Sequence, residues 1–499
     1  MLTVFDPTST RGRWLLPLGV ALCALLTYAS SLGGGFLLDD SYLVVGNASI
    51  RSLSDVPTLL THTMPGRNNI AFYRPLLMVS LAIDYALHGL APAGYHASNV
   101  LLHALVSVLV FWFLRRILDG VEAPLIGALI FAVHPVHGEA VYLVSNRATE
   151  LSTTFALLVL LVHVAPLGAG WQARATWLAT APLAFCAVAS KEDAVVLPGL
   201  LVLFDILVRP RGARAIALRV LPAFGGVLAC LVVRAAVCRT PVVTYFGDAP
   251  AATVVRTMVP TLARALRLLV MPYNLGSNYG PDLLPDPGSF ASAEVLGGAA
   301  VLLAALATIV LCRQRRPALA FGVAMILLCL APMTHVVGLP VLFAERFLYL
   351  CSVGFCLVAA VTYGALALRT RREIAWGLAS VLVLGWAAQT FERAADWRDE
   401  LTFWRFSAAD RPRSLQAQYS LAHTLSRERG CAAALAQYDV AVALAGNDAP
   451  ARTIRLEQAR CYDQAGDRAH ARALVDQWLS RHPGDVAFER LAATLETPR

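Results

Sequence analysis

Lysine is all but missing from this chain: of 41 basic residues, one, Lys191, is lysine and the other 40 are arginine. Charge of either sign is scarce, at 15% of 499 residues against 57% hydrophobic, a balance that cannot cover the surface of a water-soluble protein of this length. Lipid is therefore the expected solvent for most of it. No CxxC pair occurs among the ten cysteines; most lie in apolar runs, where cysteine acts as a small hydrophobe, so no zinc or redox framework is read from them. The net charge of +8 comes from short arginine clusters between apolar runs. They form no single basic face, which argues for membrane topology over nucleic-acid binding. Against this arginine background Lys191 stands out as a candidate for a role that a point-charge ammonium fills better than a guanidinium.

Apolar runs near the ~20 residues that span a bilayer recur along the chain. The first, Trp14–Leu32, is read as a retained anchor, because no small-residue cleavage site precedes the polar segment and further spans follow. Arg115 and Arg116, Arg174, then Arg209, Arg211, Arg214 and Arg219 fall in alternate loops, as do Arg313, Arg315 and Arg316 and later Arg369, Arg371 and Arg372. Arginine is retained on the cytoplasmic side. Thr253–Pro272 is long enough to span but is interrupted by Arg256, Arg264 and Arg267, so it is expected to lie as an amphipathic helix on the outer surface. The result is an all-α fold of about eleven transmembrane helices over 1–392, with the first extracytoplasmic loop at 34–95 and an interfacial outer segment at 253–290. The amino terminus is expected inside and a soluble domain, 393–499, outside.

The soluble domain carries a repeat. Ala422, Ala434, Tyr438 and Ala441 occupy small and aromatic packing positions of a tetratricopeptide unit, and Ala459, Ala471 and Val475 repeat the first three 37 residues later, close to the usual 34 or so. Cys431 and Cys461 lie in this tail and could pair in an oxidising compartment.

Charges beside membrane spans are costly, and those that persist are functional candidates. The outward loops collect them. FLLDDS supplies Asp39 and Asp40; two adjacent carboxylates packed at a membrane favour a raised pKa or facing cations, and either suits a general base. Arg74 follows, then Asp84. His96, Asn99 and His103 share one helical face at the start of the second span and are candidates for lining a cavity. HPVHGEAVYLVSNRATE brings His134, His137 and Glu139, a partial metal set without HExxH spacing. In the same stretch Arg147 and Glu150 are spaced as an ion pair. SKED adds Lys191, Glu192 and Asp193, and AERFLYL adds Glu345 and Arg346. The inward loops are expected to carry mostly solvated arginine. Arg74, Arg147, Lys191 and Arg346 could together neutralise a phosphate at the outer surface.

The ordered set FLLDDS, YRPLLMVSLAIDY, HPVHGEAVYLVSNRATELS, SKED and AERFLYLCSVGF, followed by tetratricopeptide units, resembles the transmembrane-and-tetratricopeptide-containing O-mannosyltransferases of the C-type membrane glycosyltransferase superfamily. The resemblance implies a polyprenyl-phosphate sugar donor, with mannose the expected sugar. It also implies a protein serine or threonine hydroxyl as acceptor, docked by the tetratricopeptide domain, and inverting transfer on the extracytoplasmic face. Asp39 matches the catalytic base of the first outer loop and Asp40 the second acidic position, while Arg74, Arg147, Lys191 and Arg346 would bind the donor phosphate. His96, Asn99, His103, His134, His137, Glu139, Glu192 and Glu345 are the cavity-lining candidates. No cofactor is required by these motifs, and a divalent metal is left open. The arginine- and alanine-rich composition suggests a bacterial inner membrane. Transfer to a glycan or lipid by the same chemistry is one alternative. Others are a scaffold presenting the repeats and a transporter, although eleven spans exceed an anchor's needs and the charges gather at span ends rather than mid-membrane.

Overall fold

The computed structural model describes residues 10–65, 72–165, 171–238, 244–276, 279–280, 282–446 and 449–496. Parts of the expected outer loop 34–95 and interfacial segment 253–290 thus lie outside the described residues. The chain divides into two compact units: Met1–Ser277 with Asp286–Arg398, and Asn278–Pro285 with Asp399–Arg499.

In the first unit the helices are α1 (Thr10–Tyr28), α2 (Val56–Thr61), α3 (Pro75–His88), α4 (Pro92–Ile117), α5 (Glu122–Val133), α6 (Gly138–Tyr142), α7 (Arg147–Val164) and α8 (Trp171–Leu178). They continue as α9 (Thr180–Ser190), α10 (Leu197–Leu207), α11 (Ala213–Val237), α12 (Ala251–Val270), α13 (Ala293–Cys312), α14 (Pro317–Leu330), α15 (Leu348–Arg369) and α16 (Arg372–Arg393). Among the described residues no strand occurs. Among the described residues eight helices are long and apolar enough to cross a membrane, and a ninth is completed if α5 and Pro135–Tyr142, bent by 44°, form one span. The protein is an integral membrane protein. Of the eleven expected spans, two come out differently: α9 and α10 have 11 residues each, about 16 Å of rise against a ~30 Å hydrocarbon core. The SKED break and Pro198, at the start of α10, interrupt what would otherwise be longer helices.

Helix α7 is the central member: 72% of its spanning window is buried, against 11% for α13. It packs on α4, α9 and α15. Helices α14 and α15 meet through glycine: a Cβ on Gly354 would sit 2.7 Å from the Gly322 carbonyl oxygen, so only hydrogen fits there. Outward-facing leucine, valine and phenylalanine on α11, α13 and α16, such as Phe224, Leu303 and Val381, supply the lipid-facing belt.

The segment between α1 and α4 has a core of its own, in which Leu43, Val44, Ile50, Leu59, Leu77, Leu81 and Tyr95 pack with Val144. Arg51 closes it, donating to the Val44 carbonyl at 2.9 Å and lying 4.3 Å over the Tyr85 ring. Most of the arginines expected inward, among them Arg116, Arg174, Arg214, Arg313, Arg315, Arg316, Arg369, Arg371 and Arg372, are exposed, but those around α10 are drawn onto partners. Buried Asp205 accepts from Arg211 at 3.3 Å and Arg219 at 3.0 Å, and Arg209 donates to the Val164 carbonyl. A buried carboxylate needs such partners, and Asp205, in the middle of an apolar run, gave no spacing signal for them.

The second unit is α17 (Glu400–Asp410), α18 (Leu415–Arg429), α19 (Cys431–Ala445), α20 (Ala449–Gln464), α21 (Arg468–Arg481) and α22 (Val486–Glu496), each packed on the next. Ala422, Ala434, Tyr438, Ala441, Ala459, Ala471 and Val475 are all buried. Cys431 and Cys461 form a disulfide between α19 and α20. Glu457 is held by the Tyr419 hydroxyl at 3.0 Å, His423 Nδ1 at 3.1 Å and the Tyr438 hydroxyl at 3.2 Å. The hydrogen bond to Glu457 raises the His423 pKa; burial pushes Glu457 up, but its three donors bring it below its ordinary value.

Two outcomes test this packing. Cys431→Ser should lower the stability of the second unit by about 3 to 4 kcal/mol for a loop of this length, read by thermal unfolding with and without reductant. A histidine whose folded pKa is raised stabilises fully below its unfolded value of about 6.5 and loses that contribution as pH rises through the folded value. The proteolytic half-life of the tail should therefore shorten as pH rises from about 6.5 through the raised folded pKa of His423, and His423→Gln should flatten that slope.

Candidate active site

The segment after α1 turns sharply where the acidic pair stands. Leu38 has φ +49°, a left-handed conformation rare for a side chain of its kind. Asp40 is fully buried. Its Oδ1 accepts from the Ser145 N–H at 2.7 Å, and its Oδ2 accepts from the N–H groups of Leu37 at 3.2 Å and Val144 at 3.3 Å. Burial pushes the Asp40 carboxyl up to about 7, opposed by these backbone donors. Asp39 is exposed. One carboxylate is thus built into the protein and its neighbour is open to what arrives.

Ser145 leads into α7, and the first turn of that helix positions the next group. Thr149 Oγ1 accepts from Lys191 Nζ at 2.9 Å, and Lys191 pairs with Asp193 at 2.9 Å and lies 5.2 Å over the Phe347 ring. Arg346 covers the same ring at 5.4 Å and pairs with Glu139, which also accepts from the Arg346 backbone N–H at 2.9 Å. Arg74 stacks on Phe72 at 4.6 Å and donates twice to Glu192, at 3.1 and 3.0 Å. Burial holds the Lys191 ammonium below its ordinary pKa; Asp193 opposes this, and the charges of Arg74 and Arg346 add to it. Three of the four expected cations therefore form one electrostatic group.

Arg147 does not join them. It is 2% exposed, lies 2.5 Å from Asp84, and donates to Asn99 Oδ1 at 2.7 Å and the Tyr95 carbonyl at 2.9 Å. Its guanidinium is spent inside the protein. Nor does it pair with Glu150, which is buried with neither carboxyl oxygen hydrogen-bonded among the described residues. Asp84, on α3, outcompetes the helical neighbour because it approaches from the side that Arg147 faces.

The polar face of α4 is buried too. His96 Nε2 meets the Gly35 carbonyl at 3.2 Å; Asn99 donates to the Val141 and Leu143 carbonyls, both at 3.2 Å; His103 Nδ1 meets the Tyr349 hydroxyl at 2.7 Å. His134 Nε2 contacts the Leu269 carbonyl at 2.9 Å and His137 Nε2 the Ser352 hydroxyl at 2.8 Å. With all five fully or almost fully buried, these side chains brace helices and connecting turns against one another instead of lining an open cavity. Among the described residues no group of three His, Cys, Asp or Glu is arranged to hold a metal ion. Glu345 is buried, accepting from Gly276 N at 2.6 Å and from Arg393 at 2.9 Å. Sequence reasoning missed Arg393, Thr149 and Phe347. Arg393 follows an apolar run like any topological arginine, and nothing in its spacing points to Glu345.

No family model matches the chain. Protein O-mannosyl-transferase F38B6.6 of Caenorhabditis elegans is 25% identical over 418 residues, covering 81% of this chain and 59% of the relative. Protein O-mannosyl-transferase TMTC3 of Mus musculus is 27% identical, covering 83% of this chain and 49% of the relative. TMTC4 of Homo sapiens is 28% identical, with 87% and 66% covered. The chain thus spans about half to two thirds of the length of these curated relatives. Among solved structures, ArnT from Cupriavidus metallidurans bound to undecaprenyl phosphate aligns with 94% of this chain and 80% of its own at 14% identity and a TM-score of 0.42.

The Asp84–Arg147 pair yields a direct test. Truncating either residue to alanine leaves the other charge buried without its partner, and should cost about 3 to 5 kcal/mol. In detergent-solubilised protein the double variant should melt well above the sum of the two single losses.

Proposed function

This chain is a sequence relative of the protein O-mannosyl-transferases, and from that premise we propose that it moves a sugar, mannose, from a polyprenyl-phosphate donor to a serine or threonine hydroxyl of a protein on the extracytoplasmic face. The observation that carries the chemistry is the grouping of Arg74, Lys191 and Arg346, in which Lys191 is held by Thr149 in the first turn of α7, just after the Val144–Ser145 stretch that clips Asp40. From Ser145 to Thr149 is four residues, about 6 Å of helical rise.

In this mechanism Asp39 takes the proton of the acceptor hydroxyl as its oxygen forms a bond to the anomeric carbon from the face opposite the phosphate. The bond between that carbon and the phosphate oxygen breaks, and its electron pair leaves with the polyprenyl phosphate. The configuration inverts. The departing oxygens are neutralised by the three cations, which exchange their resting carboxylates (Glu192 for Arg74, Asp193 for Lys191, Glu139 for Arg346) for phosphate. Arg147 stabilises the fold beneath them.

The helical tail, read as tetratricopeptide hairpins, holds the protein acceptor on that same side. The arginine clusters support a cytoplasmic amino terminus, and an odd number of crossings supports an outer tail. Nine spans keep the orientation that eleven would give, since α9 and α10 add or remove crossings as a pair. The Cys431–Cys461 disulfide fits an oxidising compartment, and the composition fits a bacterial inner membrane.

Asp39→Asn should abolish transfer from polyprenyl-phosphate mannose while expression and melting temperature stay at wild-type values; full activity would remove Asp39 as the base. Arg74→Ala and Arg346→Ala should each raise KM for the donor by about ten- to a hundredfold, as expected for loss of a charge-assisted phosphate contact. A periplasm-dependent reporter fused after Arg499 should be active, and a reporter active only in the cytoplasm would reverse the topology.

A further inference from the structure

Asp39 owes its setting to the residues on either side of it. Leu37 and Asp40 are both fully buried, and they are bonded to each other twice: the Asp40 N–H donates to the Leu37 carbonyl at 2.8 Å, and the Leu37 N–H donates to Asp40 Oδ2 at 3.2 Å. Closing so small a ring requires the chain to reverse at Leu38, and the reversal is made by the positive φ there. The Leu38 carbonyl is also held, accepting from the Ser41 hydroxyl at 2.7 Å and from the Ser41 N–H at 3.2 Å, and the Leu43 N–H fixes the Asp39 carbonyl at 2.9 Å. Of these four consecutive residues only Asp39 is exposed. The other two non-glycine residues with positive φ among those described are Asn274 and His335, types that enter the left-handed region more readily than leucine.

We infer that Leu38 and Asp40 are positioning residues for Asp39: the left-handed turn at Leu38 presents the base, and the Asp40 clip to Val144 and Ser145 holds that turn against the start of α7. This rests on Asp39 being the base. Strain retained beside a reacting group persists only when surrounding contacts over-determine it, and the three backbone donors to Asp40 together with Ser41 are those contacts. Asparagine at position 40 would keep one good acceptor for the Ser145 N–H but turn an NH2 group towards the N–H groups of Leu37 and Val144, loosening the turn without adding charge.

The backbone requirement separates this role from ordinary packing. Isoleucine matches leucine in volume and apolarity but is β-branched and resists positive φ, whereas glycine removes the side chain and accepts positive φ freely. With purified protein, radiolabelled polyprenyl-phosphate mannose and a pool of serine- and threonine-containing peptides, Leu38→Gly should keep kcat within about threefold of wild type. Leu38→Ile should lose about tenfold or more in kcat, with KM for the donor unchanged. Asp40→Asn should show the same loss in kcat with unchanged KM. If Leu38→Gly is as impaired as Leu38→Ile, the leucine side chain and not the turn is what matters, and the inference fails. It fails equally if Leu38→Ile matches wild type, or if Asp40→Asn changes KM and kcat together. Asp39→Asn run alongside keeps the two levels apart: its full activity defeats the base assignment, whereas an inactive Asp39→Asn with a wild-type Leu38→Ile defeats only the positioning role.

Discussion

A carboxylate taken out of water has to find its donors inside the protein, and much of the candidate site depends on how Asp40 meets that demand. Its three N–H partners come from two stretches about a hundred residues apart, Leu37 after α1 and Val144 and Ser145 before α7. The bond set joins a loop with its own small core to the most buried helix of the bundle. Once that junction is made, the next residues of α7 have fixed places. Arg147 can cross to Asp84 on α3, and Thr149 can receive Lys191 from the break between α9 and α10. Loop, helix and break are held around one short stretch, 144–150.

The ion pairs on this face fall into two kinds, separated by solvent access. Arg147 and Asp84 have side chains 3% and 5% exposed and are surrounded by further hydrogen bonds, so the pair is expensive to break and has no spare capacity for a ligand. Arg74 with Glu192, at 20% and 25%, and Arg346, at 25%, with Glu139 remain reachable. Pairs of that kind contribute little to stability and can trade a carboxylate for a phosphate at small cost. Lys191 stands between the two kinds. It is almost buried, yet it belongs to the same positive group and contacts the phenylalanine that Arg346 covers. A compact ammonium fits between Thr149, Asp193 and Phe347, where a planar guanidinium with five donors would leave some of them unsatisfied. That gives a physical reason for one lysine to persist in a chain that otherwise uses arginine.

Membrane residence, the helical fold, the places of most spans and the small-residue packing of the tail were legible in the sequence, because each depends on a one-dimensional pattern: long apolar runs, arginine between them, and alanines recurring at hairpin spacing. The motifs also marked the charged residues at span ends as candidates, since charges there are costly wherever they point. Tertiary structure alone decided which charge meets which. Arg147 and Glu150 have the spacing of a helical ion pair, yet the guanidinium turns to Asp84, and His96, Asn99 and His103 share a face that neighbouring helices and loops cover completely. The same holds for Asp39 and Asp40, adjacent and chemically identical in the chain. A left-handed turn at Leu38 and three backbone donors from two loops bury one and leave the other open, and hydrogen bonds between segments so far apart leave no periodicity to read.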